Sequence, residues 1–137
     1  MAADETIALV RRYFEALDAR SIAGVLATLD PEVVHDVNQG GRRIGREAFE
    51  SFLIHMARCY RETCADLVVF ASDDGGRAAA EYTLRGTYEA TEDGLPEARG
   101  QRYSIAGGSF FAIEDGLIVR VTSYYNLEDW LARIAEG

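Results

Sequence analysis

The chain has 137 residues, enough for one hydrophobic core and no second. At 48% hydrophobic and 27% charged it reads as an ordinary globular domain, not a disordered one. Fourteen basic residues against 23 acidic ones give a net charge of −9, which repels phosphate backbones and anionic lipid and sets nucleic acid and membranes aside as partners.

From the N-terminus, Asp4 is positioned to cap a first helix, and Glu5 favours its positive end. Ile7, Val10, Phe14 and Leu17 recur at helical spacing, with Tyr13 bordering the same face. Ser21 caps a short second helix carrying Ile22, Val25, Leu26 and Leu29, which Asp30-Pro31 ends. Glu32 to Asn38 alternates as a strand, with Val34, Asp36 and Asn38 on one face and Val33, His35 and Val37 on the other. Gln39-Gly40-Gly41 is a turn. A third helix runs from about Arg46 to Arg61 with a stripe of Phe49, Phe52, Leu53, Met56 and Tyr60.

The rest reads as sheet. Leu67 to Ser72 is a strand, and Asp73-Asp74-Gly75-Gly76 is a hairpin signal. Ala78 to Glu89 and Gln101 to Ile113 are long strands flanking a polar loop, and Gly107-Gly108 suggests a bulge or bend in the second. Glu114-Asp115-Gly116 turns the chain into Leu117 to Tyr125. Asn126 caps a final helix, with Asp129 at the reciprocal position of a capping box. These elements define an α+β fold: a cone-shaped, curved antiparallel sheet with helices on one side enclosing a pocket.

No apolar run approaches the roughly 20 residues of a membrane span. The N-terminal segment, with Asp4 and Glu5 and no apolar block, does not read as a signal peptide, so the expected compartment is the cytoplasm. Cys59 and Cys64 are expected as free thiols there. His35 and His55 lack a third partner at metal-ligand spacing, so no metal is expected. All basic residues are arginine, which excludes Schiff-base catalysis. Asp36 is a carboxylate on a strand face before a glycine turn; in an apolar pocket its basicity would rise. Glu81 and Arg85 share a strand face and read as an ion pair or as water-activating groups.

Three stretches carry a resemblance: Val10 to Leu17 leading to Val34 to Gly41; Gly86-Thr-Tyr88 with Gly94-Leu-Pro96 and Gly100; and Asp115 to Asn126. Together they resemble the nuclear transport factor 2-like superfamily, and within it the ketosteroid isomerase-related and SnoaL-like proteins. The resemblance covers nearly the whole chain. It implies a general base at Asp36 and a tyrosine, Tyr13, donating to a developing enolate oxygen. The second acid of the ketosteroid isomerases falls at Gly108 or Ser109, neither of which is acidic; Ser109 offers a neutral donor. Asn38, Tyr125, Phe52, Met56 and Tyr103 are the expected ligand contacts.

The function implied is cofactor-free proton transfer, of isomerase or cyclase type, on a hydrophobic carbonyl or polyketide-like substrate. The alternatives are a non-catalytic binder of a hydrophobic ligand, or water addition to an epoxide through Glu81 and Arg85. A homodimer is expected, because the long strands carry apolar or small residues on both faces.

Overall fold

The structure, a computed structural model, describes residues 2–38 and 40–136. Helix α1 (Ala3–Asp18) and helix α2 (Ile22–Leu26) lead into β1 (Leu29–Val37), the short β2 (Arg43–Ile44) and helix α3 (Arg46–Cys59). Four long strands follow: β3 (Tyr60–Ala71), β4 (Arg77–Tyr88), β5 (Gln101–Glu114) and β6 (Leu117–Tyr125), before helix α4 (Leu127–Glu136). They form one six-stranded sheet in the order β2-β1-β6-β5-β4-β3. Among the described residues no helix is long and apolar enough to cross a membrane.

The architecture is the expected α+β one, with one difference of topology. β1 pairs with β6 in parallel, so the sheet is mixed. The pairing is irregular between Leu29 and Val34, where Pro31 lies; proline has no N–H to give a ladder and is tolerated at such an irregularity. Helix α1 is not capped by Asp4. Its N-cap is Ala2, whose backbone N–H donates to Glu5 Oε1 at 3.2 Å, and Asp4 sits in the first turn. Ser21 Oγ accepts from Gly24 N–H at 3.0 Å and Asn126 Oδ1 from Asp129 N–H at 3.0 Å, so both of these caps form as the sequence indicates. Asp129's own carboxylate turns to Arg133. Gln39 of the turn after β1 lies outside the described residues.

Cross-strand partners place side chains in rows on the inner face. Ala71, Ala78, Phe111, Val121 and His35 form one row; Val69, Ala80, Ser109, Ser123 and Val37 the next. Tyr82, Gly107 and Tyr125 form a third, and Glu62, Gly86 and Tyr103 a fourth. Helix α1 lays Leu9, Val10, Tyr13 and Phe14 against this face, and all four are buried. Removing each such side chain from water stabilises the fold by about 1.5–3 kcal/mol before entropy is counted. Helix α4 closes the other end, seating Trp130 among Tyr60, Tyr103 and Tyr125 at ring-centroid distances of 5.6, 6.0 and 6.2 Å.

β5 pairs in register through Gly107 and Gly108 with both neighbours, so no bulge lies there. The glycines serve a different purpose. Tyr82 on β4 lies over Gly107 on β5, and Tyr103 on β5 lies over Gly86 on β4; a Cβ at either glycine would overlap the ring. The two tyrosines therefore cross the same strand pair in opposite directions.

Candidate active site

Between the inner sheet face and helices α1, α3 and α4 lies a cavity of about 370 Å³. Phe14, Leu17, Phe49, Phe52, Leu53 and Met56 make much of its wall. Its polar groups come from several elements: Tyr13 from α1, His35 from β1, His55 from α3, Tyr60 and Glu62 from β3, Glu92 from the β4–β5 loop, Ser109 from β5, and Ser123 and Tyr125 from β6.

Of the residues expected from sequence, Tyr13, Phe52, Met56, Ser109 and Tyr125 line this cavity. Tyr13 is buried against Phe14, Phe49 and Phe111, and its hydroxyl makes no hydrogen bond among the described residues. Burial raises its pKa, so the hydroxyl stays protonated and can donate. Ser109 bridges Tyr82 OH at 2.9 Å and Ser123 Oγ at 2.8 Å. Three hydroxyls joined by two bonds leave one O–H to donate elsewhere. Burial pushes Tyr82 and Tyr125 up to about 12.

Asp36 is not in the cavity. The alternation along β1 is as read, but the other face points inward, because Val33, His35 and Val37 meet the helices. Asp36 lies on the outer face, where Arg42 Nε and Nη2 donate to its two oxygens at 2.9 and 3.1 Å. That bond to Arg42 holds the Asp36 carboxyl below its ordinary value, the reverse of a base made stronger by burial. Asn38 is also withdrawn: its Oδ1 accepts the Tyr125 N–H at 2.8 Å and so ties β1 to β6. Tyr103 reaches the site only through its hydroxyl, which donates to Glu62. Glu81 and Arg85 are exposed on the outer face and do not pair; Arg85 reaches Asp66 at 3.6 Å, so the two have no access to the cavity as water-activating groups.

Three groups inside the cavity were not read as functional from the sequence. His35 stacks on Phe49 at 4.2 Å and meets the edge of Phe52 at 4.7 Å. Its Nδ1 is buried without a partner. Burial, reinforced by Arg43, lowers its pKa to about 4, so the ring is neutral near pH 7. Glu62 is the second. Burial raises its pKa above the usual carboxylate range, against the opposing effects of the Tyr103 hydrogen bond and Arg20. Tyr103 occupies Oε2, which leaves Oε1 without a hydrogen-bond partner among the described residues. Glu92 is the third; it accepts from His55 Nε2 at 2.5 Å and from Tyr60 OH. Cys59 and Cys64 are free thiols, as expected. Cys64 borders the cavity, and burial pushes it up to about 12, which leaves it unreactive.

An unclosed curved sheet with helices over its concave side, around a mostly apolar cavity with a few converging polar groups, is the architecture of the nuclear transport factor 2-like type. Residues 10–121 match the SnoaL-like domain, and the chain belongs to that family. A candidate polyketide cyclase from Xanthomonas campestris pv. campestris is 48% identical, with a TM-score of 0.95 over 96% of this chain and 98% of that one. Another from Silicibacter sp. TM1040 is 49% identical, with a TM-score of 0.93 over 98% of each chain. An LEH-like epoxide hydrolase from M. tuberculosis is 18% identical, with a TM-score of 0.79 over 98% of this chain and 92% of that one, a likeness of fold. No curated protein matches the sequence.

Proposed function

We propose that the protein catalyses cofactor-free proton transfer, of isomerase or cyclase type, on a hydrophobic carbonyl compound of polyketide-like character held in the cavity. The observation that carries the reading is Glu62: a carboxyl group with one oxygen fixed by Tyr103 and the other unpaired, inside an aromatic cavity that raises its pKa. Burial favours the protonated form of such a carboxyl group, and in that form it donates to a carbonyl oxygen and stabilises the charge that develops there when a neighbouring C–H bond breaks. The Tyr13 hydroxyl is a second donor on the wall, and the aromatic side chains accept a flat apolar ring system. The chemistry requires only positioned acids, bases and donors. The 48% and 49% identical candidate cyclases support the same class of substrate.

The test is deuterium uptake by α-tetralone, a bicyclic ketone that the cavity accommodates, followed by NMR in deuterium oxide. The wild type is expected to exchange the protons beside the carbonyl faster than buffer does. Glu62→Leu is expected to slow that exchange about 100-fold, the contribution of one general acid. Asp36→Asn, on the outer face, is expected to stay within about two-fold of wild type, as surface changes remote from a site do. Exchange no faster than in buffer, or an undiminished rate in Glu62→Leu, refutes the reading; binding without exchange selects a ligand-binding protein instead.

A further inference from the structure

Enolisation needs two partners, one for the carbonyl oxygen and one for the carbon-bound proton. Resting on the proposed role of Glu62, we propose that Glu92, oriented by His55 and Tyr60, is the catalytic base that takes the proton from carbon. Among the described residues, Glu92 is the one cavity-lining residue supplied by a loop, the segment 89–100 between β4 and β5. That loop is fixed at several points. The Glu92 N–H donates to Tyr88 OH at 2.9 Å, and Tyr88 OH donates in turn to Pro96 O at 2.7 Å. Thr91 Oγ1 accepts from Ala98 N–H at 2.9 Å, and Gln101 Nε2 donates to Glu97 O at 2.9 Å.

The side chain itself is held from two elements. His55 on α3 donates to Oε1 and Tyr60 on β3 to Oε2, so both oxygens are fixed in place by donors from two elements. Each oxygen keeps a lone pair for a substrate proton. The other ionisable groups facing it are Tyr125 from β6, and Cys59 with Arg58 and Asp93 near by. Glu62 and Glu92 thus occupy one cavity in different settings. Glu62 has a single donor and an unpaired oxygen; Glu92 has two donors. A carboxyl group with a free oxygen and one whose two oxygens are both held by donors are placed to serve one reaction from two sides of the cavity.

The step balances without a further reagent. Glu92 accepts the α-proton, and the C–H bond pair becomes the C=C of the enol. The carbonyl π pair moves to oxygen and takes the Glu62 proton. Where the substrate carries a C=C bond next to that α-carbon, the dienol formed accepts the Glu92 proton at the far end of that bond, which completes an isomerisation; where it carries a second carbonyl, the enol carbon attacks that carbonyl and closes a ring, the new oxygen taking the Glu92 proton. Glu92 returns its proton, and Glu62 is reprotonated from the hydroxyl formed. The substrate class this requires is an apolar ketone with an acidic C–H group beside its carbonyl.

The experiment measures α-tetralone exchange and binding by NMR in the full chain, for wild type, Glu62→Leu, Glu92→Gln and His55→Ala. Glu92→Gln is expected to lose exchange about 100-fold or more while α-tetralone still binds. His55→Ala, lacking one of the two groups that orient the carboxylate, is expected to slow exchange at saturating α-tetralone about 10-fold while binding stays unchanged. If Glu92→Gln fails to fold, Glu92→Asp is the second variant. It keeps the carboxylate at shorter reach and is expected to fold and to exchange between wild type and the Gln rate; wild-type exchange in it overturns the assignment. If Glu92→Gln exchanges at the wild-type rate while Glu62→Leu does not, Glu92 is not the base and the Glu62 reading stands. If Glu92→Gln loses binding and exchange together, Glu92 is only a wall and the assignment falls. If wild type itself does not exchange, both readings fall. A wild-type exchange rate in His55→Ala removes His55 from its orienting role.

Discussion

His35 and Asp36 are neighbours in sequence and sit on opposite faces of β1, which sets their chemistry apart. Asp36 meets water and Arg42; His35 meets Phe49, Phe52 and the cavity. The folded state holds His35 near a pKa of about 4, whereas an unfolded chain returns it to about 6.5. Between those values the unfolded state binds the extra proton. Stability from this group is therefore complete above pH 6.5 and is lost as pH falls toward 4, by about 3 kcal/mol across the window. Urea unfolding at pH 7 and pH 4.5 is expected to show the loss in wild type and a smaller one in His35→Gln, where the ionisable ring is gone. Alternation along β1 was legible in the sequence, but the identity of the inward face was not. Val34, Asp36 and Asn38 make as good a strand face as Val33, His35 and Val37 until α3 packs on one of them. Glu62 was missed for a related reason. Met56 and Tyr60 continue the helical spacing of α3, so the polar run from Tyr60 to Asp66 does not announce a strand. The alternation of Tyr60, Glu62 and Cys64 was the available signal.

Helix α2 and strand β6 were readable because their determinants are local: a serine cap for one, an Asp-Gly turn followed by unbroken β-forming residues for the other. The parallel pairing of β1 with β6 was not, because nearly ninety residues separate the partners and no short pattern records who pairs with whom. The β4–β5 pair shows a third case. Gly107 read as a bulge or bend and Gly86 only as part of a family pattern, but both are seats, for Tyr82 and Tyr103. Gly86→Ala is expected to push the Tyr103 ring aside, to destabilise the fold by about 1–3 kcal/mol as overpacking does, and to free the Glu62 oxygen that Tyr103 binds. Denaturant unfolding checks the first effect. The carboxyl signal of Glu62 in an NMR titration checks the second and is expected to move to higher pH, because the Tyr103 bond favours the ionised form.

At the scale of the whole molecule, the curved sheet and its enclosed cavity follow from the order of elements, and the family match agrees with that reading. The outer face of the sheet is less settled by its own chain. Phe70, Phe110, Val68 and Tyr124 stand 57%, 47%, 43% and 38% exposed on it, with small residues such as Ala79 and Gly108 between them. An exposed apolar sheet face of this kind is where the homodimer expected from the sequence would pair. Sedimentation at micromolar concentration is expected to give twice the chain mass, and Phe70→Glu with Phe110→Glu to give the single chain. A wild-type monomer would count against the pairing.

Among the described residues, every one around the cavity except Glu92 is anchored in a helix or strand. The consequence is modular. A relative that exchanges only its β4–β5 connection can retain the same chamber and the same guest while acquiring a different reaction, so the connection behaves as a replaceable cartridge. Diversification among these proteins should therefore be recorded in that short span ahead of the framework around it.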